Sequence, residues 1–213
     1  MERVALIDYG SGNLRSAEKA LYEVARRAGS DAEIRTTDDP DYIRRADRLV
    51  LPGVGAFTAC MDALEARTGV IEAMTEAAVQ RGAPFLGICV GMQLLATRGL
   101  EFGMRKGLDW IGGEVRKLEP ADHRAKIPHM GWNTLSAGVG HPLFAPADGR
   151  HMYFTHSFAF FPDDPRAVTA TTDHFGEFTA AVAEGNIAGV QFHPEKSQAN
   201  GLALIDRFLE WRP

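Results

Sequence analysis

The first half of this 213-residue chain alternates short apolar segments with amphipathic ones, and that alternation limits the folds open to it. Residues 4–9 are almost continuously apolar, as is typical of a strand buried on both faces of a parallel sheet. Apolar residues then recur at helical spacing over 14–28, and Gly29 closes the helix. Strand–helix alternation of this kind predicts a mostly parallel sheet with helices on both faces.

Later segments extend this pattern and then change it. Three more strands are predicted at 32–37, 48–51 and 84–88, with helices over most of 56–80, broken near Gly69, and over 90–98. The second half favours short strands, at 113–118, 132–135, 152–160, 168–172, 179–184 and 187–192. A last helix is predicted over 198–211. We therefore expect an α/β fold, an open mostly parallel sheet with additional antiparallel strands. Without a linker or an internal repeat, residues 1–213 are expected to form one domain.

Composition and sequence pattern argue against several classes of partner and location. The formal net charge is −5, which counts against a nucleic-acid partner because phosphates select basic surfaces. The two cysteines, Cys60 and Cys89, belong to no spaced Cys/His set, so we expect no metal site and a reducing compartment. The N-terminus lacks a signal-peptide pattern, and no apolar run approaches the roughly 20 residues of a membrane span. We expect a cytoplasmic protein.

The segment Gly87-Ile88-Cys89-Val90-Gly91 follows a predicted strand and precedes a predicted helix. Glycines two positions before and two after the cysteine match the spacing of a nucleophile elbow, whose sharp turn leaves no room for a Cβ. A cysteine at a helix N-terminus is also favoured as the reactive thiolate. Taken alone, the pentapeptide is equally compatible with a buried structural cysteine. Cys60 has no such flanking residues and is expected in the core.

A second segment, His193-Pro194-Glu195, supplies a candidate base. Proline disfavours helical geometry for the residue before it, and in an extended chain residues two apart point to the same side. The carboxylate of Glu195 is therefore expected beside the imidazole of His193, as in a nucleophile–base–orienter triad. Metal binding is the competing use of this pair, but no third ligand has a recognisable spacing.

Two glycine-containing turns follow other strands. Gly53-Val54-Gly55 is a candidate oxyanion loop, because flanking glycines let a peptide N–H turn outward without steric cost. Taken alone it is an ordinary strand-to-helix turn. The segment at 10–12 suggests a dinucleotide fingerprint, but Arg15 stands where the third glycine is required.

Together these motifs resemble those of class I (triad) glutamine amidotransferases, a family with a flavodoxin-like fold. The segments at 7–14, 128–133 and 191–197 further resemble the glutaminase subunits of imidazole glycerol phosphate synthase, and the resemblance spans essentially the whole chain. Two departures are Val90, where leucine is common, and Phe158, where tyrosine is common. The second departure puts in doubt a hydroxyl contact with glutamine.

The resemblance implies a role for each matched residue. Cys89 would attack the glutamine side-chain amide, His193 would accept and return the proton, and Glu195 would orient His193. An oxyanion hole would involve Gly53, Val54, Gly55 and Val90, using the N–H of Val54 after a peptide rearrangement. Glutamine would be bound by Gln93, His156, Ser157 and Phe158. No cofactor and no metal are implied.

The resemblance also implies a partner. A separate cyclase subunit with a (β/α)₈ barrel would form a heterodimer with this chain and use its ammonia to make imidazole glycerol phosphate in histidine biosynthesis. The residues that match interface positions are Asn13, Met130, Trp132 and Lys196. Core burial of Met130 and Trp132 is the alternative.

Other functions remain open at this point. The same triad occurs with other ammonia-channelling synthases, although the 128–133 motif argues against them. A catalytically silent subunit would not need the complete set of Cys89, His193 and Glu195. A redox cysteine protein of similar fold would not need Gln93.

Overall fold

The computed structural model describes residues 1–119, 126–138 and 140–213. Its helices, within those ranges, are α1 Leu14–Arg27, α2 Pro40–Arg45, α3 Phe57–Glu65, α4 Val70–Thr75, α5 Val90–Gln93 and α6 Gln198–Glu210. A π-helical turn at Glu76–Gln80 extends α4, and a 3-10 turn at Pro194–Lys196 precedes α6. None of these helices is long and apolar enough to cross a membrane.

The strands of the described ranges fall into a large sheet and two smaller ones. The first-half strands are β1 Arg3–Ile7, β2 Glu33–Thr37, β3 Arg48–Gly53, β4 Phe85–Cys89, β5 Arg98–Gly99 and β6 Arg105–Lys106. The second-half strands are β7 Gly113–Lys117, β8 His129–Thr134, β9 Ser136–Ala137, β10 His151–His156, β11 Phe158–Pro162, β12 Val168–Asp173, β13 Glu177–Glu184 and β14 Ile187–Val190.

The large sheet has the strand order β2-β1-β3-β4-β14-β13-β12-β9. Strands β2, β1, β3, β4 and β14 run parallel, and β13, β12 and β9 then continue the sheet antiparallel. Every residue of β3, β4 and β14 is buried, which explains their largely apolar sequences. The charged exception is Arg48 in β3, which forms an ion pair with Glu2. The predicted α/β class, a mostly parallel sheet with added antiparallel strands, is confirmed.

The helices cover the sheet in two groups, with α1 packed against α6 and α4 packed against α2 and α3. Helix α1 forms as predicted because its apolar residues lie on one face. Those buried residues are Ala17, Ala20, Leu21, Val24 and Ala25. Helix α2 was not predicted, although its start carries a recognisable signal. The Asp39 side chain accepts a hydrogen bond from the N–H of Asp41, and Pro40 occupies the first turn.

The helix predicted over 90–98 is wrong beyond its first turn, because α5 ends at Gln93. The carbonyl groups of Leu94 and Leu95 accept hydrogen bonds from Leu108 and Trp110 instead of from a further helical turn. A distant segment therefore ends the helix, which the local sequence does not reveal.

The strand predicted over 152–160 is two strands that meet at Ser157. Strand β10 pairs with β8, whereas β11 pairs with β7 in a different sheet. The chain thus changes sheets at Ser157, and this junction lies beside the carboxyl ends of the parallel strands. In open α/β sheets this edge is where ligands bind.

Candidate active site

Cys89 is the last residue of β4 and the residue before the first turn of α5. Its φ of 56° and ψ of −113° are unusual for a residue with a side chain, as in the strained turn of a nucleophile elbow. Both flanking glycines lie against main-chain atoms. A Cβ on Gly87 would lie 2.5 Å from the carbonyl oxygen of Gly91, and a Cβ on Gly91 would overlap the carbonyl of Leu51.

His193 and Glu195 lie side by side just beyond the end of β14. The Nδ1 of His193 is 2.8 Å from Oε1 of Glu195, and their side chains are 2% and 3% exposed. The main-chain N–H of His193 is held by the carbonyl of Tyr153 in β10. Because Nδ1 donates to the carboxylate, Nε2 is the ring atom left for the thiol. This Nε2 makes no hydrogen bond of normal geometry with any residue in the described ranges.

The electrostatics of His193 favour its protonated form. Burial by itself lowers the pKa of His193, but its interactions with Cys89 and Glu195 outweigh burial and raise that pKa well above its usual range. An imidazolium beside a cysteine stabilises the thiolate, which is the nucleophilic form of the side chain. The three residues can therefore hold an imidazolium–thiolate pair.

Two buried glutamine side chains connect Cys89 to β11. The Nε2 of Gln93 donates to the main-chain oxygen of Phe158 and to Oε1 of Gln191, both at 2.9 Å. The Nε2 of Gln191 donates in turn to Sγ of Cys89 at 3.8 Å. A role for Gln191 was missed by the sequence reasoning. It lies two residues before His193, so the same alternation that joined His193 to Glu195 was the available signal.

The main-chain oxygen of Phe158 also accepts a hydrogen bond from Nδ1 of His156, at 2.9 Å. Phe158 therefore contributes to the site through its main chain, which is unaffected by the absence of a tyrosine hydroxyl. The Nε2 of His156 contacts Nδ1 of His129 at 3.1 Å, and Nε2 of His129 contacts the Asn133 amide at 3.2 Å.

Both of these histidines are neutral near pH 7. Burial lowers the pKa of His156 to about 3, and burial with the charge of His174 lowers the pKa of His129 to about 4. Since a carbonyl only accepts, Nδ1 of His156 carries its proton, and Nδ1 of His129 must donate to Nε2 of His156. The chain of hydrogen bonds therefore runs in one direction, from Asn133 to Phe158.

The candidate oxyanion residues lie at the ends of β3 and β4. Gly53 packs so closely that a Cβ would lie 2.7 Å from the nitrogen of Gly91. The carbonyl of Val54 accepts hydrogen bonds from Oγ of Ser11 at 2.9 Å and from Sγ of Cys60 at 3.4 Å. Val90 begins α5, so its N–H has no acceptor within the helix. Cys60 is buried, as expected.

A cavity of about 410 Å³ opens over the cysteine, a size that suits a small-molecule ligand. It brings together most of the residues singled out from the sequence. Those lining it are Val54, Gly55, Cys89, Val90, Gln93, His156, Ser157, Phe158, His193 and Lys196. The predicted site residues that do not line it are Gly53, Glu195, Asn13, Met130 and Trp132. Glu101, Pro128 and Thr155 also line the cavity but were not predicted as site residues.

The sequence model of the family described as glutamine amidotransferase class-I matches residues 5–211. The chain belongs to the class I glutamine amidotransferase family. A relative from Caulobacter vibrioides, the imidazole glycerol phosphate synthase subunit HisH, is 64% identical, with all of both chains covered. The subunit of the same name from Agrobacterium fabrum is 54% identical over 99% of this chain and 100% of its own. A crystal structure of a glutamine amidotransferase has a TM-score of 0.70 at 19% identity, covering 97% of each chain.

One surface of this amidotransferase is apolar where solvent would otherwise favour polar residues. Met130 and Trp132 lie two residues apart in β8 and are 63% and 47% exposed, so the alternative that they are core residues is wrong. Lys196 is exposed at the rim of the cavity. Asn13 precedes α1, and its side chain makes no capping hydrogen bond.

The described residues contain no group of three or more His, Cys, Asp or Glu side chains placed to hold a metal ion. In this amidotransferase the imidazole of His193 and the carboxylate of Glu195 form a hydrogen bond with each other.

Proposed function

We propose that this chain is the glutaminase subunit of an imidazole glycerol phosphate synthase, releasing ammonia from L-glutamine for a separate cyclase subunit. One observation carries the proposal: Cys89 stands on a glycine-flanked elbow in the cavity that also contains His193, backed by Glu195. The 64% identity to a HisH subunit over the full length supports the choice of synthase.

The reaction begins with the thiolate of Cys89 attacking the side-chain carbonyl carbon of glutamine. The resulting oxyanion is held by the N–H of Val90 and, after the Gly53–Val54 peptide turns, by the N–H of Val54. Imidazolium His193 then gives its proton to the departing nitrogen, and ammonia leaves behind a thioester. His193 next takes a proton from water as the water attacks the thioester, and glutamate leaves as the thiolate re-forms.

Gln93 is a proposed contact for the substrate amide. Both hydrogens of its Nε2 are used by Phe158 and Gln191, so its Oε1 is the atom that remains to accept a hydrogen bond. A substrate carboxamide offers two N–H donors, which suits that oxygen. His156 and Ser157 also line the cavity, at the point where the chain changes sheets.

The recipient of the ammonia is a (β/α)₈-barrel cyclase subunit in a cytoplasmic heterodimer with this single-domain chain. Exposed Met130 and Trp132, with Lys196 and Asn13, form the proposed docking surface. An exposed tryptophan next to a methionine has the composition of an interface hot spot.

The test of the activity is Cys89→Ala in the complex with a cyclase subunit. The variant is expected to lose glutamine-dependent formation of imidazole glycerol phosphate by at least about 10³-fold, since the thioester cannot form without the Cys89 thiol. Synthesis from added ammonium salt should be unchanged, which serves as the internal control. Retention of glutamine-dependent synthesis would overturn the role given to Cys89.

The test of the docking surface is Trp132→Ala. Association with the cyclase subunit is expected to weaken by at least about 30-fold, as for an interface hot spot of 2 kcal/mol or more. Tyr22→Ala is the matched control, because Tyr22 is 50% exposed but lies on α1. Equal affinities for the two variants, measured by calorimetry, would remove Trp132 from the interface.

A further inference from the structure

The nucleophile has a second neighbour besides His193. Gln191 is fully buried, and its Nε2 lies 3.8 Å from Sγ of Cys89, within the range of a hydrogen bond to sulfur. The residue immediately follows β14, and its main-chain N–H is held by the carbonyl of Ala180 in β13. Both the main chain and the side chain of Gln191 are thus fixed.

The orientation of the Gln191 amide is decided by its partners. The carbonyl of Phe158 can only accept, so the atom of Gln93 facing it must be the NH₂ group. That same NH₂ group faces Gln191, which must therefore present its oxygen to Gln93 and its NH₂ to the sulfur. A reversed Gln191 amide would place two donors against each other.

Cys89 needs such a donor because its surroundings offer little else for a negative charge. The cysteine is 3% exposed, so few water molecules can solvate a thiolate there. Helix α5 has only four residues, so its macrodipole is much weaker than that of a long helix. The imidazolium of His193 supplies charge nearby, but its Nε2 makes no hydrogen bond of normal geometry with the sulfur.

We infer that Gln191 is a further catalytic residue of this site, whose amide N–H stabilises the thiolate of Cys89 before attack and when it leaves the thioester. The inference rests on the proposed function, because it assumes that Cys89 is the nucleophile. A neutral amide does not titrate, so this stabilisation persists at every pH at which the protein is folded. Gln93 acts through Gln191 by holding its amide in the donating orientation.

A purely structural role for Gln191 makes a different prediction. If the amide only fills space between β13 and the cavity, its removal lowers stability without changing the acidity of the thiol. The thiol acidity is therefore the readout that separates the two roles. It is measured without substrate or partner as the pH dependence of Cys89 alkylation by iodoacetamide, followed in the Cys89 peptide by mass spectrometry.

The variant is Gln191→Met, which keeps a similar length but has no donor. The midpoint of Cys89 alkylation is expected to rise by about one pH unit, and alkylation near pH 7 to slow about tenfold, because a hydrogen bond to a charged group is lost. Glutamine turnover by the complex should fall about tenfold in kcat near pH 7. That deficit should shrink as the pH rises past the thiol midpoint, whereas a structural defect would not be corrected by pH.

Asn186→Ala is the matched control. Asn186 also has an amide side chain, and it immediately precedes the same strand, β14. Its Nδ2 donates hydrogen bonds to the carbonyls of Ala78 and Ala83. Its loss removes two hydrogen bonds at the opposite end of the strand and should leave the alkylation midpoint unchanged. An equal shift in both variants would assign the effect to general loosening of the strand and overturn the inference.

If Gln191→Met does not fold, Gln191→Glu supplies the same test with a side chain of the same size. An ionised carboxylate still accepts from Gln93 but repels a thiolate, so the alkylation midpoint is expected to rise further than in Gln191→Met. An unchanged midpoint in either folded variant would refute the donor role. Failure of the proposed function is seen separately, as glutamine-dependent synthesis that survives Cys89→Ala.

Discussion

Adding one methyl group at Gly87 tests the packing that shapes the nucleophile elbow. The Cβ of Gly87→Ala would lie 2.5 Å from the oxygen of Gly91, 2.7 Å from its carbonyl carbon and 2.7 Å from the nitrogen of Met92. All three are main-chain atoms in the first turn of α5, so no side-chain rotation relieves the contact.

The size of the effect follows from these distances. Non-bonded carbon atoms settle at about 3.5–4.0 Å, so the methyl group overlaps the helix by roughly 1 Å. Overpacking of this kind costs about 1–3 kcal/mol, and the rigid neighbours place Gly87→Ala at the upper end. If α5 moves away instead, Cys89 and the N–H of Val90 move with it, and a displacement of about 1 Å costs roughly 100-fold in activity.

Two measurements check this prediction. Urea unfolding gives the change in the free energy of unfolding, expected at about 3 kcal/mol, and glutamate release in the complex gives the expected loss of about 100-fold. Gly138→Ala is the control, since the nearest atom to its Cβ is 4.0 Å away and its φ lies outside the left-handed region. That variant should remain within about 0.5 kcal/mol of the parent protein.

A Gly87→Ala protein with both the stability and the activity of Gly138→Ala would refute the reasoning. It would mean that α5 tolerates displacement and that close packing does not require a glycine at position 87. A loss of stability without a loss of activity would instead separate the packing of the elbow from its catalytic geometry.

The remaining predictions concern charge at the site and at the histidine pair. Glu195→Gln keeps the shape of the side chain but removes its charge, so the pKa of His193 should fall. As the pH rises, the imidazolium should then lose its proton at a lower pH than in the parent protein. Glutamate release should drop by about 10²- to 10⁴-fold, with its alkaline limit moved to lower pH, and an unchanged pH profile would contradict the pairing. His129 has a folded pKa of about 4, below its unfolded value, so it favours folding above pH 6.5 and loses that contribution as the pH falls. Urea unfolding measures how far the free energy of unfolding falls between pH 7 and pH 5. That fall should be about 2 kcal/mol smaller in His129→Gln than in the parent protein. Equal falls would show that His129 does not titrate in this way.

Local pattern was enough to predict the fold class and the parts of the site that depend on neighbours in the chain. A buried strand such as β4 is continuously apolar, and α1 shows its helical face in the spacing of its apolar residues. The adjacency of His193 and Glu195 follows from a two-residue alternation about Pro194. The geometry around Cys89 follows similarly from glycines two residues away on each side.

Other features depend on contacts between distant segments and were not predictable from local pattern. Helix α5 stops at Gln93 because the carbonyls that follow are bonded to Leu108 and Trp110. The strand at 152–160 divides because its two halves join different sheets. The exposure of Trp132 depends on which face of β8 is covered by other elements, and the alternation of residues in the sequence does not show which face that is.

The surroundings of Cys89 show which features come from the sequence and which come from the tertiary structure. The sequence alone determined that Cys89 has glycines at the correct spacing and that a histidine–glutamate pair exists, since each depends on residues within a few positions. Only the tertiary structure decided that Gln93 and Gln191, 98 residues apart, share a hydrogen bond and that Gln191 reaches the sulfur from 102 residues away. The order of strands β4 and β14 in the sheet creates those contacts, and strand order is a property of the whole fold.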